Sequence, residues 1–232
     1  MALAPRFAIY FVPAAETALY RFGAAILGHD CYSGERLAHP SDLGLSKADW
    51  QELTREPRTY GFHATLKAPF RLRPELDQAD LIAEVRRLAA AQRSIPTIDP
   101  MVGLIAGFAA IVPRKASPAL AQFAADCVTA LDRFRLPMTP QERSRRLASG
   151  LSTPQVAYLD RFGYPYVLDE FRFHMTLTGR IAPERQSAIH ALFEHAYLRA
   201  VGVGAIAINR LVVLRQDNPA AHFRVIELQK LG

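Results

Sequence analysis

The chain contains little cysteine and no long apolar run. Cys31 and Cys127 are its only cysteines in 232 residues, and their spacing fits neither a disulfide framework nor a zinc site. We interpret both thiols as reduced and structural. The longest apolar run, 103–112, ends at Pro113, well short of the ~20 residues that cross a bilayer. The first six residues lack the basic and apolar regions of a signal peptide, so we expect a cytoplasmic protein that contacts no membrane.

The composition predicts a globular protein that attracts anions. Hydrophobic residues make up 50% of the sequence, which is enough to bury a sizeable core. Twenty-eight basic against twenty-two acidic residues give a net charge of +6, and the calculated isoelectric point is about 9.6. This moderate excess favours anionic substrates by long-range attraction and does not require a nucleic acid. Much of it is arginine, whose guanidinium suits phosphate oxygens better than an ammonium does.

Strand-like and helix-like segments alternate along the chain. The patterns predict strands at 6–12, 61–70, 104–112 and 171–180, a terminal hairpin at 205–215 and 222–228, and helices at 14–27, 46–54, 77–92, from 117 onward and at 183–198. The segment 137–154 is read as a loop or short helix that joins two halves and could act as a lid, and 154–162 adds a further turn or two. We therefore predict a duplicated α+β fold, one domain with two lobes at approximately 1–135 and 136–232. Antiparallel sheets would line a central cleft, with helices outside. Strands could be exchanged between the lobes.

One short pattern occurs twice, once in each half. His63-Ala64-Thr65-Leu66 and His174-Met175-Thr176-Leu177 both lie in strand-like sequence. Because alternate side chains of a strand share a face, each copy presents an imidazole beside a hydroxyl. If both copies face one cleft, one imidazole accepts a proton while the other donates one, and the hydroxyls hold a phosphate between them. The chemistry indicated is phosphoester cleavage with His63 and His174 as catalytic residues and Thr65 and Thr176 as substrate ligands.

Further candidates for substrate binding flank the two motifs. Alternation places Lys67 on the face of His63 and Thr65, and places the two arginines near the second motif on the face of His174. A tyrosine before the first motif could stack on a sugar or base, or donate its phenol to phosphate. The complete set of these candidates is Tyr60, Lys67, Arg58, Arg172 and Arg180.

Two simpler readings compete with the catalytic one. A single His-x-Thr in a strand is most often a core histidine with satisfied hydrogen bonds, and only the repetition at half-chain spacing favours catalysis. A metal site built on the two histidines lacks Asp, Glu or Cys at ligand spacing in either motif, so no metal is expected. The other five histidines have no repeated context and are interpreted as surface or structural residues.

Both motifs and their flanks resemble the 2H phosphoesterase superfamily, whose members carry a pair of His-x-Thr-x motifs. The segments 58–70 and 171–180 look like the branch associated with bacterial phosphonate-utilisation operons, long described as a domain of unknown function. The resemblance implies a bilobal fold with pseudo-twofold symmetry, and activity on cyclic phosphodiesters without metal or cofactor. It also implies that His63 and His174 are the acid–base pair and that Thr65 and Thr176 bind phosphate.

The sequence thus predicts an enzyme, a 2H-type cyclic phosphodiesterase that hydrolyses a small ribose phosphate or nucleotide in phosphonate breakdown. Its partner would be a small anionic phosphate ester, bound without a cofactor. RNA is a less favoured substrate, through processing or ligation of 2′,3′-cyclic RNA ends. A third hypothesis is a binding module that holds a nucleotide or RNA end without turnover. Oligomeric state and the assignment of acid and base stay open.

Overall fold

The computed structural model describes residues 4–232, so residues 1–3 of the segment inspected for a signal peptide lie outside it. The described chain forms nine strands: β1 (Arg6–Phe11), β2 (Ala64–Phe70), β3 (Thr97–Ile98), β4 (Pro100–Ile105), β5 (Phe108–Pro113), β6 (Met175–Thr176), β7 (Ile206–Ala207), β8 (Arg210–Gln216) and β9 (Arg224–Lys230). Its seven α-helices are α1 (Ala18–Leu27), α2 (Lys47–Thr54), α3 (Gln78–Ala91), α4 (Pro118–Leu131), α5 (Pro140–Leu147), α6 (Thr153–Phe162) and α7 (Gln186–Ala200).

Seven of these strands form one antiparallel sheet in the order β4-β5-β6-β2-β1-β8-β9. The short strands β3 and β7 pair separately. Helices pack against the sheet, which confirms the prediction of an α+β fold with antiparallel sheets. Strands from the two halves of the chain are exchanged, since β4 and β5 adjoin β6, whereas β8 and β9 adjoin β1. The lobe boundaries near residue 135 stay a prediction.

Several helices begin where the sequence carries a capping signal. Ser46 and Asp49 form a reciprocal capping box before α2, and Asp77 caps α3 through the Asp80 amide. Ser117 caps α4, whose first residue is a proline that needs no hydrogen-bond partner for its nitrogen. These local rules explain why the predicted starts near 46, 77 and 117 are confirmed.

The segment predicted as a single strand at 104–112 is a hairpin. Strands β4 and β5 pair from Pro100↔Pro113 to Ile105↔Phe108, and the two residues between them, Ala106 and Gly107, have positive φ angles of 47° and 86°. Such turns match the twist of the flanking strands, but they are usually signalled by Asn-Gly or Gly-Gly. Alanine at the first turn position hid this one, so the prediction of one strand was wrong.

The second motif strand is much shorter than the predicted 171–180, since β6 contains only Met175 and Thr176. Beyond Thr176 the amides of Leu177 and Thr178 both donate to the Ala109 carbonyl, at 2.9 and 3.2 Å. This doubled contact breaks the regular ladder, and the Gly179 amide then bonds to Leu53 on another element. In the linking region, 137–154 contains the full helix α5, and α6 is a helix of 10 residues instead of a turn or two.

The centre of the sheet is completely buried. Residues 7–12 of the first strand segment are each at most 3% exposed, and the same core contains both cysteines in unpaired form. Burial raises the pKa of each thiol to about 12, so neither is a nucleophile at neutral pH. Among residues 4–232, no helix has the length and apolar character to span a bilayer.

Candidate functional site

The two motifs meet at the junction of β2 and β6. Ala64 pairs with Met175 across this antiparallel junction. The same register places His63 opposite Thr176 and Thr65 opposite His174. Ala64 and Met175 are fully buried on one face, while the four motif side chains are partly exposed on the other. The structure therefore brings both histidines and both threonines onto one face, where they form a four-residue cluster.

Each histidine is held by the same hydrogen bond. The Nδ1 atom of His63 lies 2.8 Å from the Gly61 carbonyl oxygen, and Nδ1 of His174 lies 2.8 Å from that of Arg172. A carbonyl oxygen can only accept, so both Nδ1 atoms carry a proton. In the neutral rings each Nε2 is therefore an acceptor, and Nε2 of His63 lies 3.2 Å from the Thr65 hydroxyl. The two copies thus present the same nitrogen for proton transfer.

Burial favours the neutral form of both imidazoles. The pKa of His63 is lowered from 6.5 to about 4, mainly by desolvation; the Gly61 hydrogen bond opposes this shift and repulsion from His174 contributes to it. The pKa of His174 is also lowered by desolvation, and its bond to the Arg172 carbonyl acts in the opposite direction. An anion between the rings would favour their protonated forms and raise both pKa values.

Aromatic rings flank the four-residue cluster on both sides. Tyr10 of β1 stacks on the His63 ring, with centroids 3.7 Å apart and planes 18° apart. Phe108, directly after the hairpin turn, lies 5.6 Å from the ring of His174. A cleft of about 380 Å³ opens beside Thr65 and His174, and its walls include the tyrosines at 164 and 166. This volume suits a small organic ligand.

Two of the predicted cationic helpers are engaged in structural contacts. Lys67 is only 3% exposed, and its Nζ donates to the Asp132 carboxylate at 3.0 Å and to the Val128 carbonyl at 3.2 Å. Arg58 donates through Nε to the Leu27 carbonyl at 2.8 Å, and its other contacts are Thr54 and His39. The regular alternation assumed for Lys67 is interrupted, since the pairing of β2 with β1 shifts register between Thr65 and Lys67, and the charge of Lys67 is already balanced by Asp132.

The remaining predicted residues lie around the cleft. The exposed Arg172 lines it, and its carbonyl orients His174. Arg180 is exposed beside the turn at Gly107, beyond the end of β6, so the regular alternation assumed for it is absent. Tyr60 stacks on Phe223 at 5.5 Å, and its ring centroid is 6.3 Å from that of His63. As ligands of a substrate, these residues stay predictions.

Sequence reasoning missed four aromatic residues of the site. Tyr10 lies within an apolar strand and looks like an ordinary core residue, and only its pairing with Thr65 brings it to the motif. Phe108 was placed inside a continuous strand, which obscured its position after a turn. Tyr164 and Tyr166 lie in a Gly-Tyr-Pro-Tyr segment that carries no catalytic signal. Tyr10 and Phe108 reach the site through the pairing of their strands, whereas Tyr164 and Tyr166 reach it from an irregular segment after α6, and no local pattern encodes either placement.

The described residues contain no cluster of three or more His, Cys, Asp or Glu side chains placed to hold a metal ion. The donor set at the cluster is two imidazoles and two hydroxyls. That set is suited to proton transfer and to hydrogen bonding with an oxyanion.

Two curated proteins are similar to this chain. It is 33% identical over 229 residues to "Ribose 1,5-bisphosphate phosphokinase PhnN" of Janthinobacterium sp. (strain Marseille), which covers 97% of this chain and 50% of that protein. It is 34% identical over 177 residues to the protein of the same name from Laribacter hongkongensis (strain HLHK9), covering 76% and 40%. The chain therefore spans about half the length of the curated relatives it matches.

The names of these relatives contradict the prediction of a hydrolase. Both are named as phosphokinases, enzymes that move a phosphoryl group to an acceptor, and neither is named as a cyclic phosphodiesterase. The prediction rested on the His-x-Thr pattern, and the proton transfer and phosphate binding which that pattern predicts are needed by cleavage and transfer reactions alike. The assignment to the 2H superfamily stays a prediction.

A family model also matches most of the chain. Its description is "Protein of unknown function (DUF1045)", and it covers residues 65–224. The matched range includes Thr65, His174 and Thr176, and His63 lies just before it. This chain belongs to the DUF1045 family.

Proposed function

We propose that this chain binds a ribose phosphate at the four-residue cluster and that its two imidazoles transfer protons to and from the ester oxygens. The observation that carries the proposal is the duplicated geometry: two histidines with the same tautomer, each beside a threonine, on one face of adjacent strands. The ribose phosphate follows from the relatives, whose printed name specifies ribose 1,5-bisphosphate. A role in phosphonate metabolism is part of the proposal and follows from the resemblance of the motifs.

The chemistry fits general acid–base catalysis of phosphoryl transfer, in which an acceptor hydroxyl forms a new P–O bond while the P–O bond to the leaving oxygen breaks. His63, with a pKa of about 4, is neutral at pH 7 and accepts the proton of the attacking hydroxyl. His174 donates a proton to the leaving oxygen once the bound phosphate has raised its pKa. Thr65 and Thr176 donate hydrogen bonds to nonbridging oxygens, where negative charge grows in the transition state. Since the imidazoles supply both proton transfers, these steps need no metal ligand from the cluster.

The test is ³¹P NMR of the chain with ribose 5-phosphate or ribose 1,5-bisphosphate, each with and without Mg-ATP. Wild type, His63→Asn and His174→Asn are compared with His195→Asn, which changes an exposed histidine elsewhere. We expect the phosphorus signals of at least one compound to change with wild type and the control. Each motif variant should slow that change by at least about 100-fold, the usual contribution of acid–base catalysis. Equal rates in all four proteins would contradict the proposal.

A second candidate is a binding module in which the same cluster holds the ribose phosphate without turnover. It is favoured by the length of the relatives, because half or more of each lies outside the matched region. In addition, these 232 residues contain no Gly-x4-Gly-Lys-[Ser/Thr] phosphate loop of the kind that many kinases use. Calorimetry separates the candidates, since binding of ribose 1,5-bisphosphate without any change in its phosphorus signals would support the module.

A further inference from the structure

A second cavity, separate from the cleft, is lined by arginine. This arginine groove has a volume of about 480 Å³ and lies at the end of β2 remote from His63. One acidic residue, Glu142, lines it together with five basic ones: Arg6, Arg71, Arg135, Arg145 and Arg146. Its walls come from β1, from the end of β2 and from α5, so residues distant in sequence supply the charges. None of these arginines belongs to the four-residue cluster.

The positive charge of the groove is only partly neutralised. Arg71 pairs with Glu142 at 2.7 Å, and Arg135 pairs with Asp132 at 2.8 Å. Arg6 donates to the neutral amide of Gln216. Arg145 and Arg146 have no acidic partner among residues 4–232.

Arg71 retains hydrogen-bond donors beyond its ion pair. One terminal nitrogen donates to Glu142 at 2.7 Å, and the side chain is 26% exposed. An oxyanion in the groove would accept from the remaining guanidinium donors. Arginine forks match phosphate oxygens in pairs, which makes phosphate the anion of choice.

The arginine groove and the cleft are separate cavities. They have no lining residue in common, and none of the four motif side chains lines the groove. The two cavities adjoin at Tyr164, which lines the cleft while the Arg146 guanidinium lies 5.9 Å from the centre of its ring. A ligand of the groove therefore occupies a site of its own next to the cleft.

We propose that the arginine groove binds an oligophosphate chain, such as that of a nucleoside triphosphate or of inorganic polyphosphate. Several linked phosphates match the charge excess and the volume of about 480 Å³ better than one phosphate does. Single-stranded RNA fits less well, since it needs exposed aromatic rings for stacking, and Phe70, the one aromatic residue among 4–232 that lines the groove, is 4% exposed. The proposal is independent of the ribose phosphate assigned to the cleft.

The test is isothermal titration calorimetry with tripolyphosphate, ATP and single-stranded RNA as separate ligands. The groove variant is Arg145→Gln/Arg146→Gln, which keeps good helix formers on α5. The matched control is Arg55→Gln/Arg93→Gln, which removes the same charge from exposed positions outside the groove. A third variant, His174→Asn, alters the cleft, so a loss of affinity in it would show that the ligand binds in the cleft and not in the groove. Circular dichroism confirms that each variant is folded.

We expect wild type to bind one tripolyphosphate, and the groove variant to bind it at least about tenfold more weakly, because charge-assisted hydrogen bonds are lost. The control and His174→Asn should stay within about twofold of wild type. ATP that binds like tripolyphosphate would show that the phosphate chain alone is recognised, and tighter ATP binding would add a nucleoside contact. The proposal is overturned if both double variants lose affinity equally, if His174→Asn abolishes binding, or if only RNA binds.

Discussion

Contacts fix the orientation of individual side chains in the site, and only some of these contacts come from residues nearby in sequence. The carbonyl that fixes the tautomer of each motif histidine lies two residues before it, at Gly61 and Arg172, so this part is local. The partner of Lys67 is 65 residues away, at Asp132, and no sequence pattern linked the two. Strand parity therefore did not reveal what Lys67 binds, and the register shift between Thr65 and Lys67 interrupts the alternation on which the prediction relied.

The low pKa of His63 makes stability depend on pH. The folded protein holds this pKa near 4 and the unfolded chain near 6.5, so between these values the unfolded state binds more protons. The contribution of neutral His63 to the unfolding free energy is fully present above pH 6.5 and is lost as pH falls toward 4. Lowering the pH from 7.5 to 5 should reduce the unfolding free energy of wild type by about 2 kcal/mol more than that of His63→Asn. Urea unfolding at both pH values measures this, and the His195→Asn control should behave like wild type. An unchanged loss in His63→Asn would refute the assignment.

The buried pair of Lys67 and Asp132 should respond unequally to loss of either partner. Asp132→Asn leaves the Lys67 ammonium buried without a counter-charge and should cost about 3 kcal/mol. Lys67→Met should cost about 1 kcal/mol, because Asp132 keeps its contact with Arg135 and the methionine fills a similar volume. Chemical denaturation of both variants measures the difference, with the exposed Asp126→Asn as control. Equal costs would show that the pair does not act as described.

The ends of helices and strands were predicted well where local sequence rules determine them, and poorly where pairing with a distant segment determines them. Capping residues at 46, 77 and 117 gave the starts of three helices because a cap acts within one turn. The length of β6 depends on how Leu177 and Thr178 meet Ala109 of β5, a contact between distant segments. The meeting of the two motifs depends likewise on the pairing of β2 with β6. The chemistry of each motif could be read from sequence, but the distance between them could not.

The hairpin turn between β4 and β5 allows a direct test of its backbone. Ala106 has a left-handed φ that costs a residue with a Cβ roughly 1 kcal/mol, and asparagine tolerates it better. Ala106→Asn should therefore stabilise the protein by about 0.5 kcal/mol, in line with the Asn-Gly preference of such turns. Gly107→Ala should destabilise it by about 1 to 2 kcal/mol, since its Cβ would also lie 3.3 Å from the Gln186 side chain. Thermal unfolding of the two variants gives the sign of each change in stability relative to wild type. Changes of the same sign would contradict the turn geometry.

At the scale of the whole molecule, strand exchange ties the two halves together. Strands β4 and β5 extend the sheet on one side of the motif junction, and β8 and β9 extend it on the other. The hydrophobic core contains residues from both halves, from Phe7 to Leu231. Neither half therefore has a complete sheet or core without the other.

This architecture predicts a single cooperative unfolding transition. Trp50, the one tryptophan in the sequence, is buried in the main core and stacks on His39, so its fluorescence reports the packing there. Unfolding in urea followed by Trp50 fluorescence and by far-ultraviolet circular dichroism should give coincident midpoints. Two separated midpoints would mean that the halves unfold independently, against the strand exchange described above.

The most direct test of the central claim is ¹H–¹⁵N NMR of the ring nitrogens of His63 and His174, recorded while ribose 1,5-bisphosphate is added. We predict that both rings carry the proton on Nδ1 before addition. As ligand saturates the site, the Nε2 signal of His174 should shift toward the protonated form, while Nε2 of His63 changes its shift but stays an unprotonated acceptor. The exposed His195 should not change. Rings protonated on Nε2 in the free protein, or ring signals that ignore a ligand shown to bind, would contradict the two-histidine account.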